Sequence, residues 1–346
     1  MHKKKVSIKQ IFGDSTLLYE AGLESIKSIL TNRQTYVITD SLLSELYAAE
    51  LSDCELVIIP QGEKAKTLTC IGGTAQRLLE KGADRGSHLV AFGGGAICDF
   101  TGFLASIFMR GISFSLVPTT LLAQVDAALG GKTGVNLGHL KNMLGRFAAP
   151  ENVLIQPTYT NSQLHEDWIC GLAETAKHAV IADVNFFEWL ESNKKLIMER
   201  VPETISELVM RSGAIKLGIV STDSTEQNLR KLLNFGHTVG HALELRYDLL
   251  HGHAISLGMA AELTWMESEG ILPIAEKIRI QALLQAFSLP VNWKDYQPNV
   301  WIDALDADKK TAGTYIDFPV ITQLGSASVM RIPLSRIREF YVSHTE

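Results

Sequence analysis

The pattern of apolar and polar positions divides the chain into two halves with different periodicities. In the first half, short runs rich in β-branched residues alternate with segments whose apolar residues recur every three or four positions. This pattern predicts strands over 34–39, 55–59, 88–92 and 113–117, and helices over 68–81 and from Gly95 to Met109. Strands that alternate with helices are typical of a parallel sheet with crossover helices.

The second half has mainly helical periodicity. The pattern predicts helices over 168–182, 186–198, 201–220, 226–245, 253–269 and 274–286, and a small hairpin from 318–321 and 328–332. The periodicity changes close to Pro150 and Pro157, so we expect a domain boundary near residue 160. An α/β part followed by a helical part favours a ligand-binding cleft between the two.

Composition and charge narrow the class of protein. The 346 residues are 46% hydrophobic and 20% charged, which is typical of a globular protein. Lys and Arg (32) minus Asp and Glu (38) give a net charge of −6, which disfavours nucleic-acid and membrane-surface partners. The four cysteines form no CxxC pair, and we find neither a signal peptide nor an apolar run of about 20 residues. We therefore expect a cytoplasmic protein.

The first candidate site is a polar stripe in the second half. Arg230, Asn234, His237 and His241 follow one another at spacings of 4, 3 and 4, which places them on one face of the predicted helix 226–245. Two histidines four residues apart on a helix can bind one metal ion. The alternative is a polar helix face whose histidines have no chemical function.

A buried carboxylate and two further histidines strengthen the metal hypothesis. Glu174, with Lys177 three residues later, lies in an otherwise apolar stretch, where a carboxylate needs a partner or a metal. A turn can bring His251 or His253 back toward His237. One Glu and two His would leave coordination positions open for a substrate oxygen, as in a catalytic metal site. The spacing does not select between the histidines.

Two segments of the first half are suited to anions. Gly93-Gly94-Gly95 follows a predicted strand and opens a helix, where backbone N–H groups can bind phosphate; the alternative is a tight structural turn. Asp40 ends an early strand and can accept hydrogen bonds from a ribose hydroxyl, or serve only as a turn residue. The glycine-rich segment 130–136 predicts an anion-binding loop that uses Lys132, Lys141 and Asn142. It is not a P-loop, because Asp126 occupies a required glycine position.

Taken together and in order, these segments resemble 3-dehydroquinate synthases, a family within the sugar-phosphate cyclases. The resemblance runs from about Asp40 to Lys310. The matching segments are 93–103, Arg110-Gly111, 118–127, 130–136, Lys141-Asn142, 173–177, 233–241, His251-Gly252 and 308–310.

The resemblance implies a fold, a reaction and cofactors. The fold would be a Rossmann-like α/β NAD-binding domain over 1–160 and an all-α metal- and substrate-binding domain over 161–346. The activity would be that of a carbon–oxygen lyase of the shikimate pathway, which makes aromatic amino-acid precursors. Such an enzyme converts 3-deoxy-D-arabino-heptulosonate 7-phosphate into 3-dehydroquinate and phosphate. It does so by transient oxidation with NAD, phosphate elimination, reduction and intramolecular aldol closure, and it needs zinc or cobalt.

The resemblance also assigns residues. The metal ligands would be Glu174, His237 and His251. The NAD contacts would be Asp40, Glu63, Lys66, Gly94, Gly95, Asp99, Thr119, Thr120, Asp126, Lys132, Lys141 and Ser162. The catalytic and substrate contacts would be Lys132, Asn142, Lys177, Lys216, Arg230, Asn234, His241, Arg110 and Lys310 or its neighbour Lys309. Arg110 would reach the substrate of a neighbouring subunit, which implies a homodimer.

Some positions depart from the family pattern, and three other functions stay open. Gln61, Ser162 and His253 stand where the family often has Asp, Thr and Glu, and residues 163–167 differ as well. The alternatives are another sugar-phosphate cyclase, a metal-dependent NAD polyol dehydrogenase of the glycerol dehydrogenase type, and a non-catalytic binding protein. Lys216, Arg230 and Asn234 favour a substrate with a carboxylate and therefore the first interpretation.

Overall fold

The structure is a computed structural model that describes residues 5–8, 13–30, 33–138, 140–223, 225–309 and 315–344. The chain divides into two compact units, Met1–Gln163 and Leu164–Glu346. The first unit is built on a parallel sheet and the second is mainly helical.

The first unit contains this sheet, which is parallel except for one edge strand, and a separate hairpin. Its strands are β1 (Lys5–Ile8), β2 (Ser15–Tyr19), β3 (Thr35–Asp40), β4 (Glu55–Ile59), β5 (His88–Gly93), β6 (Ser113–Pro118), β7 (Lys132–Leu137), β8 (Leu140–Phe147) and β9 (Asn152–Ile155). Within the described ranges, seven of them form one sheet in the order β1-β2-β9-β6-β5-β3-β4. Only β1 runs antiparallel to its neighbour. The predicted parallel sheet and its four predicted strands are confirmed.

Helices connect the strands of this sheet. They are α1 (Leu23–Ile29), α2 (Ser41–Leu46), α3 (Ala48–Leu51), α4 (Leu68–Glu80) and α5 (Gly95–Ile107). Every residue of β5 is buried, as expected of a central parallel strand covered on both faces. Tyr47 and Tyr159 pack edge to face against Phe92 of this strand and against each other, with ring centroids 5.2–5.3 Å apart.

Most of the segment 130–136 forms a strand rather than the predicted loop. β7 and β8 are an antiparallel hairpin in which Lys132 pairs with Phe147 and Val135 with Leu144. The prediction was wrong for residues 132–136, because Gly134 permits close backbone approach within the hairpin: a Cβ there would lie 2.9 Å from the Leu144 carbonyl oxygen. Gly130 and Gly131 precede the strand, with φ values of +114° and +66°.

The second unit is a helical assembly with one hairpin. Its helices are α6 (His165–Ala182), α7 (Val184–Met198), α8 (Pro202–Thr222), α9 (His237–Tyr247), α10 (His251–Ser268), α11 (Ile274–Ala286), α12 (Pro298–Trp301) and α13 (Leu334–Ser343). The hairpin is β10 (Tyr315–Gln323) with β11 (Ser326–Pro333), so the predicted hairpin is confirmed and is longer than expected. Among the described residues, no helix combines the length and apolar character needed to cross a bilayer.

The predicted helix over 226–245 is wrong. Residues Leu229–Asn234 form a short 3₁₀ helix, the chain turns at Gly236 with φ +79°, and α9 begins only at His237. The turn lets α9 and α10 approach closely, since a Cβ on Gly258 would lie 1.9 Å from the Gly236 carbonyl oxygen. Arg230 and Asn234 therefore do not share a helix face with His237 and His241.

Candidate active site

Three side chains from three helices meet in the second unit. Glu174 lies in the middle of α6, while His237 and His251 are the first residues of α9 and α10. Glu174 Oε1 is 3.5 Å from Nε2 of His237 and 3.5 Å from Nε2 of His251. The structure therefore brings together the three residues that the resemblance assigns as metal ligands.

The donor atoms of this triad fit a divalent metal ion. One atom from each residue lies within 4.8 Å of the other two. Two atoms at about 2.1 Å from a tetrahedral zinc ion are roughly 3.4 Å apart, close to the 3.5 Å distances observed. Three protein ligands leave one position for a substrate oxygen.

Both histidines have their second ring nitrogen engaged. His237 Nδ1 donates to the Phe235 carbonyl oxygen at 3.1 Å, which leaves Nε2 with its lone pair toward Glu174. His251 Nδ1 lies 3.4 Å from Glu244 Oε2. A metal-binding histidine commonly makes such a contact, which fixes its tautomer and orientation.

The two histidines differ in charge without a metal. Burial, together with the charge of Lys177, holds the pKa of His237 well below its usual value, so this imidazole is neutral. Burial also acts to lower the pKa of His251, but hydrogen bonds and charges of Glu174 and Glu244 outweigh it and raise that pKa to about 9. A metal ion that binds here would displace a proton from His251.

One buried cation contacts the triad, and two more are buried elsewhere in the same unit. Lys177 Nζ contacts Glu174 Oε2 and donates to the Leu233 carbonyl oxygen at 2.8 Å. Lys216 and Arg230 are buried, and Arg230 interacts with the charge of Asp223, whose Oδ2 also accepts from the Arg230 backbone N–H at 3.0 Å. The His241 ring lies 5.0 Å from that of His237, between centroids. Asn234 Nδ2 donates to Glu226 Oε1 at 3.3 Å.

Three carboxylates of this region are not among the residues predicted from the sequence. Glu244 contacts His251, Glu226 accepts from Asn234, and Glu262 accepts from the backbone at the start of α9. Glu262 interrupts an apolar stretch of α10, which is the same signal that identified Glu174. Glu226 stands in polar sequence, where nothing distinguishes it from a surface residue, whereas Glu244 lies between Leu243 and Leu245.

In the first unit, the glycine-rich turn has the predicted form. β5 ends at Gly93, Gly94 occupies the N-cap position of α5, and Gly95 begins that helix. A Cβ on Gly94 would lie 3.1 Å from the Thr120 side chain, and a Cβ on Gly95 would lie 3.2 Å from Ala127 Cβ. No side chain of the described residues caps α5 at Gly94, so the backbone N–H groups of its first turn suit an anion.

A hydrogen-bonded network connects several predicted NAD and substrate contacts. The buried Lys66 Nζ donates to Asp99 Oδ2 at 2.7 Å and to Asn142 Oδ1 at 2.5 Å. Asn136 Nδ2 donates to Glu63 Oε2 at 2.9 Å, and the Asn142 N–H donates to Asn136 Oδ1. This network fixes the hairpin β7–β8 relative to α5.

The remaining predicted NAD contacts lie on loops and helix ends of the first unit. Asp40 caps α2 by accepting from the Leu43 N–H at 2.9 Å, and Thr120 Oγ1 accepts from the Ala123 N–H at 3.2 Å. Thr119 is buried, and Asp126 is half-buried in a single π-helical turn. Ser162 is exposed, and its hydroxyl accepts from Tyr47 and donates to the Tyr159 carbonyl oxygen.

The predicted phosphate-binding cations of the first unit are exposed. Lys132 and Lys141 lie on β7 and β8, and Arg110 follows α5. Met109, Arg110 and Gly111 have φ values of +49°, +71° and +117° in succession, a strained turn of the kind that is often retained at functional sites. Lys310 lies outside the described residues.

Two family models match the chain. The model described as 3-dehydroquinate synthase N-terminal covers residues 56–169, and the one described as 3-dehydroquinate synthase C-terminal covers 171–311. The 3-dehydroquinate synthase of Thermoanaerobacter pseudethanolicus is 37% identical over 326 residues, which is 89% of this chain and 90% of that protein. The 3-dehydroquinate synthase of Streptococcus mutans is 35% identical over 91% of this chain and 92% of that protein.

Solved structures confirm the fold. A 2-epi-5-epi-valiolone synthase from Streptomyces hygroscopicus with NAD⁺ and Zn²⁺ bound superposes with a TM-score of 0.86 at 25% identity, covering 100% of this chain and 98% of its own. A 2-deoxy-scyllo-inosose synthase complexed with carbaglucose-6-phosphate, NAD⁺ and Co²⁺ gives 0.87 at 23% identity, covering 98% and 99%. With the sequence matches, these comparisons show that the chain belongs to the 3-dehydroquinate synthase family.

Proposed function

We propose that Glu174, His237 and His251 form the metal centre of a working 3-dehydroquinate synthase. As a member of that family, the chain is a lyase that converts 3-deoxy-D-arabino-heptulosonate 7-phosphate into 3-dehydroquinate and phosphate, with NAD and zinc or cobalt as cofactors. The observation that carries the ligand assignment is the triad itself, in which a buried carboxylate lies 3.5 Å from two imidazole nitrogens.

The cofactors supply two kinds of chemistry when they are bound: NAD accepts and returns a hydride, and the metal polarises substrate oxygens as a Lewis acid. The residues of the chain orient the substrate and move its protons. Lys177 contacts Glu174, and His241 lies beside His237, so both are suited to take part in proton transfer at a substrate hydroxyl.

We assign the substrate carboxylate to Lys216, Arg230 and Asn234. Lys216 and Arg230 are buried cations of the metal-binding unit, and the planar guanidinium of Arg230 can bind a carboxylate through two parallel hydrogen bonds. A sugar phosphate without a carboxylate would not form these hydrogen bonds. This assignment favours the 3-dehydroquinate synthase reaction over that of other sugar-phosphate cyclases.

We assign NAD to the first unit. The N-terminus of α5 at Gly94 and Gly95 suits the cofactor's phosphates, and Asp40 has a second carboxylate oxygen beyond the one that caps α2. The other proposed contacts are Glu63, Lys66, Asp99, Thr119, Thr120, Asp126, Lys132, Lys141 and Ser162. Lys132, Asn142, Arg110 and Lys310 are proposed for the substrate phosphate.

We further propose a cytoplasmic homodimer in which Arg110 serves the partner's site. The exposed, strained turn at Arg110 and four cysteines without a disulfide support this proposal. Arg110→Ala and Glu174→Gln should each be inactive alone. Mixing the two variants should restore activity, because a heterodimer would contain one complete site; no recovery after subunit exchange would contradict shared sites.

One assay tests the reaction. The purified enzyme is incubated with the heptulosonate phosphate and a catalytic amount of NAD, and phosphate, 3-dehydroquinate and NADH are followed with and without a chelator. We expect phosphate and 3-dehydroquinate in equal amounts, no build-up of NADH, and no product after chelation. Stoichiometric NADH would instead indicate a polyol dehydrogenase, and turnover of a seven-carbon sugar phosphate that lacks the carboxylate would indicate another cyclase.

A further inference from the structure

We propose that Glu262 is a positioning residue of the metal centre: its carboxylate caps helix α9 from the neighbouring helix α10 and so fixes His237. The proposal rests on the ligand assignment made above. Glu262 is fully buried in α10, Oε2 accepts from the Gly236 N–H at 2.8 Å, and Oε1 accepts from the Val239 N–H at 3.4 Å.

The cap comes from another helix because α9 has none of its own. The first N–H groups of a helix have no acceptor within it, and the side chain at the N-cap position normally supplies one. The N-cap residue of α9 is Gly236, which has no side chain. Its φ of +79° lies in the left-handed region that favours glycine. A carboxylate also complements the positive end of the helix dipole.

The contact of Glu262 with the start of α9 links the two helices that carry His237 and His251, two of the three proposed ligands. His237 is the first residue of α9. It lies between Gly236 and Val239, whose N–H groups donate hydrogen bonds to Glu262. His251 is the first residue of α10, about three turns before Glu262 on the same helix. The backbones also touch where a Cβ on Gly240 would lie 2.9 Å from the Ala254 carbonyl oxygen. A shift of the α9 start would move His237 Nε2 away from Glu174 and His251.

A metal titration separates positioning from simple stabilisation. Full-length enzyme freed of metal is titrated with Co²⁺, and the visible absorption of the bound ion gives the Kd and the ligand geometry. We expect Glu262→Ala to raise the Kd about tenfold with an altered spectrum. Glu262→Gln should have a smaller effect, because its amide oxygen can still accept from Gly236.

The matched control is Asp183→Ala. Asp183 caps α7 by accepting from the Phe186 N–H at 2.9 Å, so this variant removes a carboxylate cap of the same kind in the same unit. It should lower Tm and leave the Kd for Co²⁺ within about twofold of the wild type. A loss of stability alone should therefore not raise the Kd for Co²⁺ as Glu262→Ala is expected to do.

His237→Ala distinguishes this proposal from the ligand assignment. If His237→Ala binds Co²⁺ like the wild type, the ligand assignment is wrong. If His237→Ala loses binding while both Glu262 variants keep the wild-type Kd and spectrum, Glu262 is a cap only and the positioning role is overturned. Should Glu262→Ala fail to fold, the isosteric Glu262→Gln decides the question by its Kd and spectrum.

Discussion

The two units differ in where they place charge. Among the described residues, the helical unit buries five charged side chains, namely Glu174, Lys177, Lys216, Arg230 and Glu262, whereas the α/β unit buries Asp40 and Lys66. The α/β unit instead offers backbone N–H groups at a glycine-rich turn and exposed cations on a hairpin. Buried charges cost stability unless they are paired, whereas backbone N–H groups at a helix N-terminus can bind an anion at little cost.

The helical unit should lose stability when one of its buried charges loses its partner. In metal-free protein, Lys177→Met removes the nearer of the two cations beside Glu174 and leaves only protonated His251 at 3.5 Å, so we expect the free energy of unfolding to fall by about 3 kcal/mol. Added zinc should recover part of the loss, since the metal would neutralise Glu174. Urea unfolding with and without zinc measures both effects.

The control for this variant is Lys195→Met. Lys195 pairs with Glu199 at 3.8 Å on the surface, with 84% of its side chain exposed, so its loss should leave the free energy of unfolding almost unchanged. Equal effects of the two substitutions would contradict a special role for buried charge in the helical unit.

The α/β unit has its own buried titratable group, which extends the comparison to pH. Burial lowers the pKa of His88 to about 4, with Glu151 opposing and Arg33 assisting the shift. The unfolded chain takes up this proton near pH 6.5 and the folded chain only near pH 4, so acid favours unfolding across that window. We expect a loss of about 3 kcal/mol by pH 4 that is absent from His88→Gln. Urea unfolding from pH 7 to 4 would show parallel curves for the two proteins if the prediction is wrong.

The glycine-rich turn of the α/β unit allows a test of cofactor binding by backbone groups. Gly94→Val places a branched side chain at the N-terminus of α5, so we expect the Kd for NAD to rise about tenfold, or 1.4 kcal/mol. Metal binding should not change. Gly73→Ala, at a site on α4 with open space around it, is the control, and calorimetry should give it the wild-type Kd for NAD.

The smallest expected effect concerns Asp40, which has both a structural and a proposed cofactor contact. Asp40→Ala should lower the free energy of unfolding by about 1 kcal/mol, because the cap of α2 is lost, and should weaken NAD binding. Asp40→Asn keeps the cap and should affect only NAD binding. Thermal unfolding and NAD titration of both variants separate the two contacts, and an unchanged Kd for NAD in both would remove Asp40 from the cofactor site.

The parts of the molecule that sequence could predict depend on local patterns. The strand, glycine turn and helix from His88 to Ile107 follow one another without a gap, so their order alone predicts the turn at Gly94. Glu174 was recognisable because a carboxylate in an apolar helix needs a partner. The bounds of β4 and α11 agree with the predicted ones because β4 is a short run of apolar, mostly β-branched residues and α11 begins directly after Pro273.

The parts that sequence could not predict depend on contacts between distant segments. The break at Gly236 follows from the close packing of α9 on α10, and the local pattern of residues 226–245 continues through it without interruption. The choice of His251 over His253 likewise depends on the start of α10. His251 faces Glu174, whereas His253 Nε2 lies 3.2 Å from Glu166. Neither outcome is encoded within a single helix.

Glu174, His237 and His251 are the proposed ligands of the metal centre of this 3-dehydroquinate synthase. The most direct test is the zinc content of Glu174→Gln and the wild type after dialysis, measured by atomic absorption together with the Kd for NAD. We predict about one zinc ion per chain in the wild type, none in the variant, and the same Kd for NAD in both. A variant that retains one zinc ion per chain would contradict this ligand assignment.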